Sequence, residues 1–206
     1  MANNKPLAKH GISNVKYAER IGENSYDATI NDFLYTTNIG LTTIFSTQDV
    51  YADNKLLLRI PSDQGYDGQL GSTAPDPDFE VASGMQIKLD DGTTAAIKQT
   101  GFKRMALYYE ISIETEGGTK VIKVWLLNAT FAKANETNAT DTAQVTLNDV
   151  VYPFTVYGED VMSTATEKYR DENGVGATAL RVVSMPGETE YADFEKSVPK
   201  PMKASA

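Results

Sequence analysis

From Thr119 to Phe131, apolar residues occupy both odd and even positions, and this pattern predicts a long β-strand. One face carries Val121, Trp125, Leu127 and Phe131, and the other carries Ile122, Val124 and Leu126. A strand that is apolar on both faces is covered on both sides, as in a sandwich or an assembly. We therefore expect the rest of the chain to be organised around this strand.

A second long strand is predicted from Ala143 to Tyr157, after a polar loop over Ala132–Thr142. In a regular strand, its early apolar residues would lie on one face, and the later ones, Tyr152, Phe154 and Val156, would lie on the opposite face. Because the apolar face changes side only at an irregularity or a change of buried face, we expect a β-bulge near Asn148-Asp149.

Other strands follow from the same alternation. Ile39–Thr47 has one apolar and one polar face, which is typical of a half-buried strand. Ala106–Thr115 also alternates, and Asp91-Gly92 predicts a hairpin turn between Met85–Leu89 and Thr94–Lys98. The chain is thus predicted to be mainly β, with a sandwich or barrel-like arrangement.

Two helices are predicted beside the strands. The first covers about residues 76–83, where Asp76 is suited to the N-cap, Pro77 to the first helical position and Gly84 to the end. The second covers about residues 189–197, because Tyr191, Phe194 and Val198 share one helical face.

One domain is expected over residues 12–198, flanked by an N-terminal arm (1–11) and a C-terminal arm (199–206). An acidic insertion is expected at 159–176. The connection at 49–64 contains an apolar patch, which consists of Leu56, Leu57, Leu58 and Ile60. This patch is either an exposed contact surface or part of an ordinary strand, Lys55–Ile60, on the core.

Composition excludes several classes of function. The 206 residues include no cysteine, which excludes disulfides and thiolate metal sites. They include one histidine, His10, so histidine-based catalysis has no support. The net charge of −9 disfavours nucleic acid as a bound ligand, and Lys98, Lys103 and Arg104 are too small a basic cluster for one. No apolar run reaches the length of a membrane helix, and the start does not resemble a signal peptide.

No constellation of residues predicts an active site. The acidic pairs lie in expected turns, and the chain has no phosphate-binding glycine loop or nucleophile elbow. Asp76, Asp78 and Glu80 do not form a calcium loop, because prolines occupy positions 75 and 77 and the loop glycine is missing. We therefore expect no enzymatic activity, no cofactor and no metal.

Several short motifs resemble the major tail proteins of phages with long non-contractile tails. Gly11-Ile12-Ser13-Asn14-Val15-Lys16-Tyr17-Ala18 is similar to their opening strand, and Tyr51-Ala52-Asp53-Asn54 to a motif after their second strand. Gly65-Tyr66-Asp67-Gly68 is similar to a further feature, and Tyr191, Phe194 and Val198-Pro199 to their C-terminal ending. The resemblance lies in the order and spacing of these motifs along the whole chain, and the 159–176 segment departs from it.

The resemblance implies a structural virion protein that self-assembles into hexameric rings stacked into a tail tube, through which DNA passes during ejection. The implied partners are further copies, the tape measure protein in the lumen, the tail-tip and distal tail proteins, the tail terminator and DNA in transit. Assembly would occur in the host cytoplasm, without a membrane partner. We expect the 49–64 patch to contact neighbouring rings, and Thr42, Ser46, Gln48 and Asp67 to face the lumen.

Two alternatives remain at the level of sequence. A pilin-like or adhesin-like sandwich would normally need the secretion signal that the start does not resemble. A carbohydrate-binding domain would use Trp125, Tyr108 and Tyr109 to stack on sugar, although a tryptophan on a strand apolar on both faces favours a core position.

Overall fold

A computed structural model describes residues 8–99, 101–136 and 149–203, which form one short helix and fourteen strands. The elements, in chain order, are β1 (Ala8–Gly22), β2 (Ser25–Tyr26), β3 (Asn31–Asp32), β4 (Thr36–Ala52), β5 (Lys55–Ser72), α1 (Pro77–Ala82), β6 (Gln86–Lys88), β7 (Thr94–Ala96), β8 (Arg104–Thr115), β9 (Gly118–Phe131), β10 (Asn135–Glu136), β11 (Val150–Val156), β12 (Glu159–Asp160), β13 (Thr178–Ala179) and β14 (Arg181–Ser184). The protein is therefore mainly β, as the sequence predicts.

One large antiparallel sheet contains most of these strands. Its order is β2-β1-β8-β9-β11-β5-β4, with β3 beside β1, β14 beside β9 and β10 beside β11. The predicted strand Thr119–Phe131 is confirmed as β9, which lies near the middle of this order. The predicted hairpin around Asp91-Gly92 is also confirmed, as the separate pair β6–β7.

The first hydrophobic core lies on one face of this sheet. It contains residues from strands far apart in the sheet, such as Tyr17 of β1 and Leu70 of β5, so the sheet curls around it. Phe79 of α1 is fully buried there and packs edge to face against the rings of Tyr17, Phe33, Phe131 and Tyr152 at centroid distances of 4.9–5.3 Å. Such aromatic pairs add to the free energy of burial.

Helix α1 confirms the prediction for residues 76–83. Asp76 is the N-cap, and its side chain accepts a hydrogen bond from the Phe79 N–H at 3.0 Å. Pro77 begins the helix, where a missing N–H costs nothing. The helix thereby holds Phe79 against the first core.

The second hydrophobic core lies on the opposite face of β8 and β9. Tyr108 and Trp125 are fully buried there and are covered by Phe194, with Val198 packed at the side. The expectation that β9 is covered on both faces is thus confirmed.

A β-bulge divides β9 at Asn128. Leu107 pairs with Leu126, but Met105 pairs with Ala129, so β9 has one extra residue there. Asn128 has a φ of 56°, and its side chain donates to the Gly158 carbonyl at 2.7 Å. Because the bulge changes the parity, Phe131 lies in the first core, opposite to Trp125, and the predicted grouping of these two residues on one face is wrong.

The second predicted strand is only partly described. Strand β11 covers Val150–Val156 of the expected Ala143–Tyr157, and Tyr152, Phe154 and Val156 point into the first core as the parity predicts. Residues 143–148, and with them Asn148 of the expected bulge, lie outside the described residues.

The predicted helix at 189–197 is wrong. This stretch forms consecutive turns, with hydrogen bonds from the N–H groups of Tyr191, Asp193 and Lys196 to the carbonyl three residues earlier. The Phe194 carbonyl accepts from the Trp125 indole N–H at 2.7 Å, and the Tyr191 hydroxyl donates to the Val121 carbonyl. Contacts with the sheet therefore determine the conformation of this stretch, although its apolar residues have helical spacing.

Both expected arms are shorter than predicted where the structure describes them. Residues 8–11 of the expected N-terminal arm belong to β1 and pair with β8, and residues 1–7 lie outside the described part. In the expected C-terminal arm, Met202 forms a parallel bridge with Met162, and Lys203 N–H donates to the Met162 carbonyl. Backbone pairing, which a polar composition does not reveal, fixes both segments.

The acidic segment 159–176 folds back on the sheet. Its base is the pair β12–β13, and Lys168 forms ion pairs with Glu23, in the β1–β2 turn, and with Asp160. The Lys203 ammonium lies over the Tyr169 ring, 4.1 Å from its centroid. The segment is thus held between the β1–β2 turn and the C-terminal residues.

Candidate assembly surfaces

A two-stranded ribbon extends beyond the rest of the sheet. Strand β11 pairs with β5 only over residues 66–72, whereas β4 and β5 continue to pair down to the Ala52–Lys55 turn. We call residues 45–63 the free ribbon. Each of its strands has about eight residues, so it extends roughly 27 Å at ~3.4 Å per residue.

The free ribbon exposes large apolar side chains. The exposed fractions are 60% for Phe45, 65% for Tyr51, 49% for Leu56, 70% for Leu57, 53% for Leu58 and 46% for Ile60. Isolated two-stranded hairpins are only marginally stable in water, and apolar patches this large generally mark contact surfaces. Of the two alternatives for Leu56, Leu57, Leu58 and Ile60, the structure shows a strand that is exposed and not packed on the core. Their role in contacts between subunits stays a prediction.

Strand register assigns the ribbon residues to two faces, because directly opposed residues share a face. On the first ribbon face, Gln48 is opposite Ile60 and Val50 is opposite Leu58. On the second ribbon face, Phe45 is opposite Asp63 and Thr47 is opposite Pro61. Asp49 and Arg59 are also opposed there, and the guanidinium donates to both carboxylate oxygens at 2.7 and 2.9 Å.

A polar concave surface lies on the side of the sheet away from the first core. We call it the open face and define it by Thr42, Asp67, Gln69, Thr130 and Thr155, which line a hollow of about 840 Å³. Thr42 is directly opposite Asp67, and the Thr155 hydroxyl donates to the Asp67 carboxylate at 2.7 Å. The same hollow is also lined by Phe102, Pro153, Phe154 and Tyr157, so its hydroxyl, amide and carboxylate groups lie among apolar and aromatic side chains.

Arg104 lies at one rim of the hollow. Its guanidinium donates to the Asn128 side-chain oxygen at 3.2 Å and lies over the Tyr157 ring, 5.7 Å from the centroid. Phe102 lies beside it and is 57% exposed. The Asn128 bulge therefore also positions this basic group.

Two of the four residues that we predict to face a lumen come together on the open face, namely Thr42 and Asp67. Ser46 and Gln48 have the same parity on β4 but lie on the first ribbon face. Gln48 is opposite Ile60, so the residues predicted for the lumen and for subunit contacts share one face of the ribbon. Their facing a lumen stays a prediction.

A largely buried ion pair that the sequence did not predict joins the 159–176 segment to β1. Glu159 is 3% exposed, and it accepts hydrogen bonds from the Nε and Nη2 atoms of Arg20, from the Tyr26 hydroxyl and from the Asn24 backbone N–H. The hydrogen bond to Glu159 raises the pKa of Arg20, and burial raises the pKa of Tyr26. Since the two charged residues are 139 positions apart, no local pattern could have paired them.

Several other residues considered for chemistry are bound to neighbours or buried. The His10 Nε2 atom is 2.9 Å from the Glu114 carboxylate, and Lys103 pairs with Glu19. Trp125, Tyr108 and Tyr109 are at most 4% exposed, so they cannot stack on a sugar and the carbohydrate-binding alternative loses its basis. Within 8–99, 101–136 and 149–203, no three acidic or histidine side chains cluster as a metal site.

The helix α1, which is the one helix among the described residues, has six residues and is too short to cross a membrane.

Comparison with known proteins gives similarity to solved structures only. No protein-family model and no curated protein sequence matches the chain. The sheath–tube complex of the PVC extracellular contractile injection system, in its extended state, contains a chain that aligns with a TM-score of 0.43 and 7% identity, over 84% of this chain and 88% of that one. The tube-terminating cap of the anti-feeding prophage contains a chain that aligns with a TM-score of 0.43 and 11% identity, over 88% of this chain and 95% of that one.

Proposed function

We propose that this chain is the subunit of a hollow tube, and that it is the major tail protein of a phage with a long non-contractile tail. The observation that carries the proposal is the free ribbon, whose six large apolar side chains are between 46% and 70% exposed in the single chain. Burying apolar surface stabilises by about 25 cal/mol per Å². Contact with further copies of the chain would supply that burial.

The open face supports the same proposal. A surface of hydroxyl, amide and carboxylate groups binds phosphate weakly, because it offers few cations to replace the counterions of DNA. In the tube, this face lines the lumen and lets DNA pass without specific binding. The net charge of −9 acts in the same direction.

An unpaired sheet edge also favours assembly. Strand β4 is the last strand on its side of the sheet, so its outer edge has no strand partner among the described residues. Exposed edges promote aggregation unless they are covered or closed. Closure of hexameric rings would pair such edges, and stacking of the rings would build the tube.

The motifs that resemble tail proteins occupy positions with specific structural demands. Asp53 and Asn54 form the ribbon turn with φ values of 49° and 60°, which asparagine and aspartate tolerate better than most residues. A Cβ on Gly65 would lie 2.1 Å from the Val156 carbonyl oxygen, and one on Gly68 would lie 2.3 Å from the Phe154 ring. These residue types are therefore needed at the ribbon tip and at its base.

The finer features of the proposal come from the resemblance. They are six subunits per ring, a tape measure protein in the lumen during assembly, tail-tip and terminator proteins at the two ends, and a final location in the virion. The tube also conducts DNA during ejection, so the chain acts without catalysis.

Sedimentation velocity and negative-stain electron microscopy of the concentrated protein, alone and with its tail-tip complex, test this function. We expect fast-sedimenting species that appear as hollow stacked rings. A chain that remains a monomer under every condition that assembles tails would overturn the proposal.

A further inference from the structure

A row of polar side chains crosses five strands of the open face. Arg104 of β8 is opposite Thr130 of β9, and Thr130 is opposite Thr155 of β11. Thr155 is opposite Asp67 of β5, and Asp67 is opposite Thr42 of β4. Neighbouring strands lie ~4.8 Å apart, so this polar row extends over roughly 19 Å. Its cation lies at one end, on the rim of the hollow, and its carboxylate lies three strands away.

Arg104 differs from the arginines that the fold uses for ion pairs. Arg20 is paired with a carboxylate of the 159–176 segment, and Arg59 with one on the ribbon. In the part of the chain that the structure describes, the exposed Arg104 forms no ion pair, and its hydrogen bond goes to the neutral side chain of Asn128. A guanidinium has five N–H donors, so most of them remain available to a ligand in the hollow.

The surroundings of Arg104 hold its guanidinium in place. The amide nitrogen of Asn128, which is 5% exposed, donates to the Gly158 carbonyl, so the amide oxygen is directed at Arg104. The Tyr157 ring lies against the guanidinium, 5.7 Å away at its centroid. A cation that is already positioned loses less conformational freedom on binding. The geometry therefore favours binding of an anion on the open face.

Phosphate is the anion that this arrangement fits. The planar fork of a guanidinium matches two phosphate oxygens, and the neighbouring hydroxyl of Thr130 can donate a further hydrogen bond. Arginine and threonine contact the DNA backbone in this way without reading its sequence. Among the described residues that line the hollow, Arg104 is the one cation, so each copy of the chain offers a single contact.

We propose that Arg104 makes one transient contact per copy with a backbone phosphate of the duplex DNA that passes over the open face. The inference rests on the proposed tube. It adds that the lumen is not uniformly indifferent to DNA, because each subunit presents one positioned cation within an otherwise weakly binding surface.

The strength of one such contact is compatible with passage. A protein with 6–10 phosphate contacts loses about 10³–10⁵-fold in affinity between 50 and 200 mM salt. A single contact loses roughly threefold over the same range, because the slope of log affinity against log salt is about −0.9 per phosphate. The contact therefore forms and breaks easily, and repeated copies along the tube would guide the duplex without holding it.

Nuclear magnetic resonance titration of the full-length monomer with a short DNA duplex tests this contact without requiring a tube. We expect the amide signals of Thr130 and Thr155 to shift, and the salt slope of binding to become shallower by about 0.9 in Arg104→Gln. The glutamine amide can still donate to Asn128, so this variant removes the charge and keeps the local hydrogen bond. Arg104→Lys should retain binding, and Arg181→Gln, at an exposed arginine outside the hollow, is the matched control.

The outcomes separate this contact from the tube, because polymerisation is measured independently. An Arg104→Gln variant that binds the duplex with the affinity and salt slope of the wild type would overturn the contact and leave the tube intact. A carboxylate-rich peptide that binds the same residues more tightly than the duplex would assign the site to a protein partner and would also overturn it. A chain that binds DNA through Arg104 but never polymerises would overturn the tube and, with it, a role in DNA passage.

Discussion

At the scale of single residues, the buried Glu159 carboxylate joins two distant parts of the chain. Four donors surround its carboxylate, and the guanidinium of Arg20 supplies two of them. Removing one partner of a buried ion pair leaves the other charge without compensation, which costs more than the pair itself contributes. The ion pair therefore fixes the 159–176 segment against β1.

Glu159→Gln is expected to lower the free energy of unfolding by about 3 kcal/mol, because it leaves the Arg20 charge, whose side chain is only 17% exposed, without its counter-charge. Urea denaturation followed by Trp125 fluorescence measures the change. The double variant Arg20→Met with Glu159→Gln should recover much of the loss, because it removes the uncompensated charge while the glutamine oxygen can still accept from the Tyr26 hydroxyl and the Asn24 N–H. Glu167→Gln, in an exposed part of the same segment, serves as the matched control, and an equal effect there would contradict this account.

Glu195 gives the stability of the chain a dependence on pH. Hydrogen bonds from the side chains of Asn14 and Lys16 lower its pKa below the usual 4.5. Since the pKa is lower in the folded state, this carboxylate stabilises the fold above its unfolded pKa, and the contribution is lost as the pH falls through the folded pKa.

We therefore expect Glu195→Gln to destabilise the protein at pH 7 and to have a progressively smaller effect as the pH falls below about 4.5. Urea midpoints of the wild type and the variant across this range measure the difference. Glu172→Gln, an exposed carboxylate far along the chain, is the control. A Glu195→Gln effect that stays constant down to the lowest pH would show that the carboxylate charge is not responsible.

Helix α1 is an element that its own sequence largely determines. Asp76 caps it, Pro77 begins it and Phe79 anchors it in the first core. Asp76→Ala should lower the free energy of unfolding by about 1 kcal/mol through loss of the cap. Asp78→Ala, which removes an exposed acidic residue of the same first turn, is the control in the same urea titration, and an equal loss in both variants would contradict a specific capping role.

The strands of the core were predictable because burial leaves an alternating pattern in the sequence. The alternation of β8 and the two apolar faces of β9 correctly indicate a central strand pair. The Asn128 bulge was not predictable, because its conformation depends on hydrogen bonds with Tyr26, Arg104 and Gly158, which lie 24 to 102 positions away. The turns at 189–197 depend in the same way on Trp125.

Among the candidate surfaces, the sequence identified the apolar ribbon residues but not their geometry. In the sequence, Leu56–Leu58 and Ile60 form an apolar patch between turn-forming residues. The alternation along β4 places Thr42 on its polar face. Strand register, which depends on pairing across the sheet, decides that Gln48 and Ile60 share a face. Only the paired strands could show that the two predicted surfaces meet.

The free ribbon should be the most weakly protected strand pair in the isolated chain. In the part of the chain that the structure describes, residues 45–63 pair only with each other, whereas Tyr66–Gly71 lies between β4 and β11, and β8 and β9 lie between the two cores. Hydrogen exchange should be fast in the ribbon and slow in Tyr66–Gly71 and β9. Protection of the ribbon should rise on polymerisation, and slow exchange there in a proven monomer would contradict its dependence on neighbours.

At the scale of the whole molecule, the open face and the free ribbon assign different roles to two parts of one sheet. The part near β11 presents polar groups that water can keep solvated, and the part beyond it presents apolar groups that need a cover. An assembly that closes around an aqueous channel satisfies both requirements. We therefore propose that the open face lines the lumen of a closed tube.

Labelling of a cysteine on the open face with probes of two sizes distinguishes a face inside a closed tube from a face on its exterior. Thr130→Cys is suitable because residue 130 lines the hollow and the chain has no other cysteine. In the monomer, a small maleimide and a maleimide carrying a long polyethylene glycol chain should both react rapidly. In the polymer, the small reagent should still react, while the large one should be excluded because it can enter only from the tube ends. Equally rapid reaction of both probes with the polymer would show that the open face does not line a closed lumen.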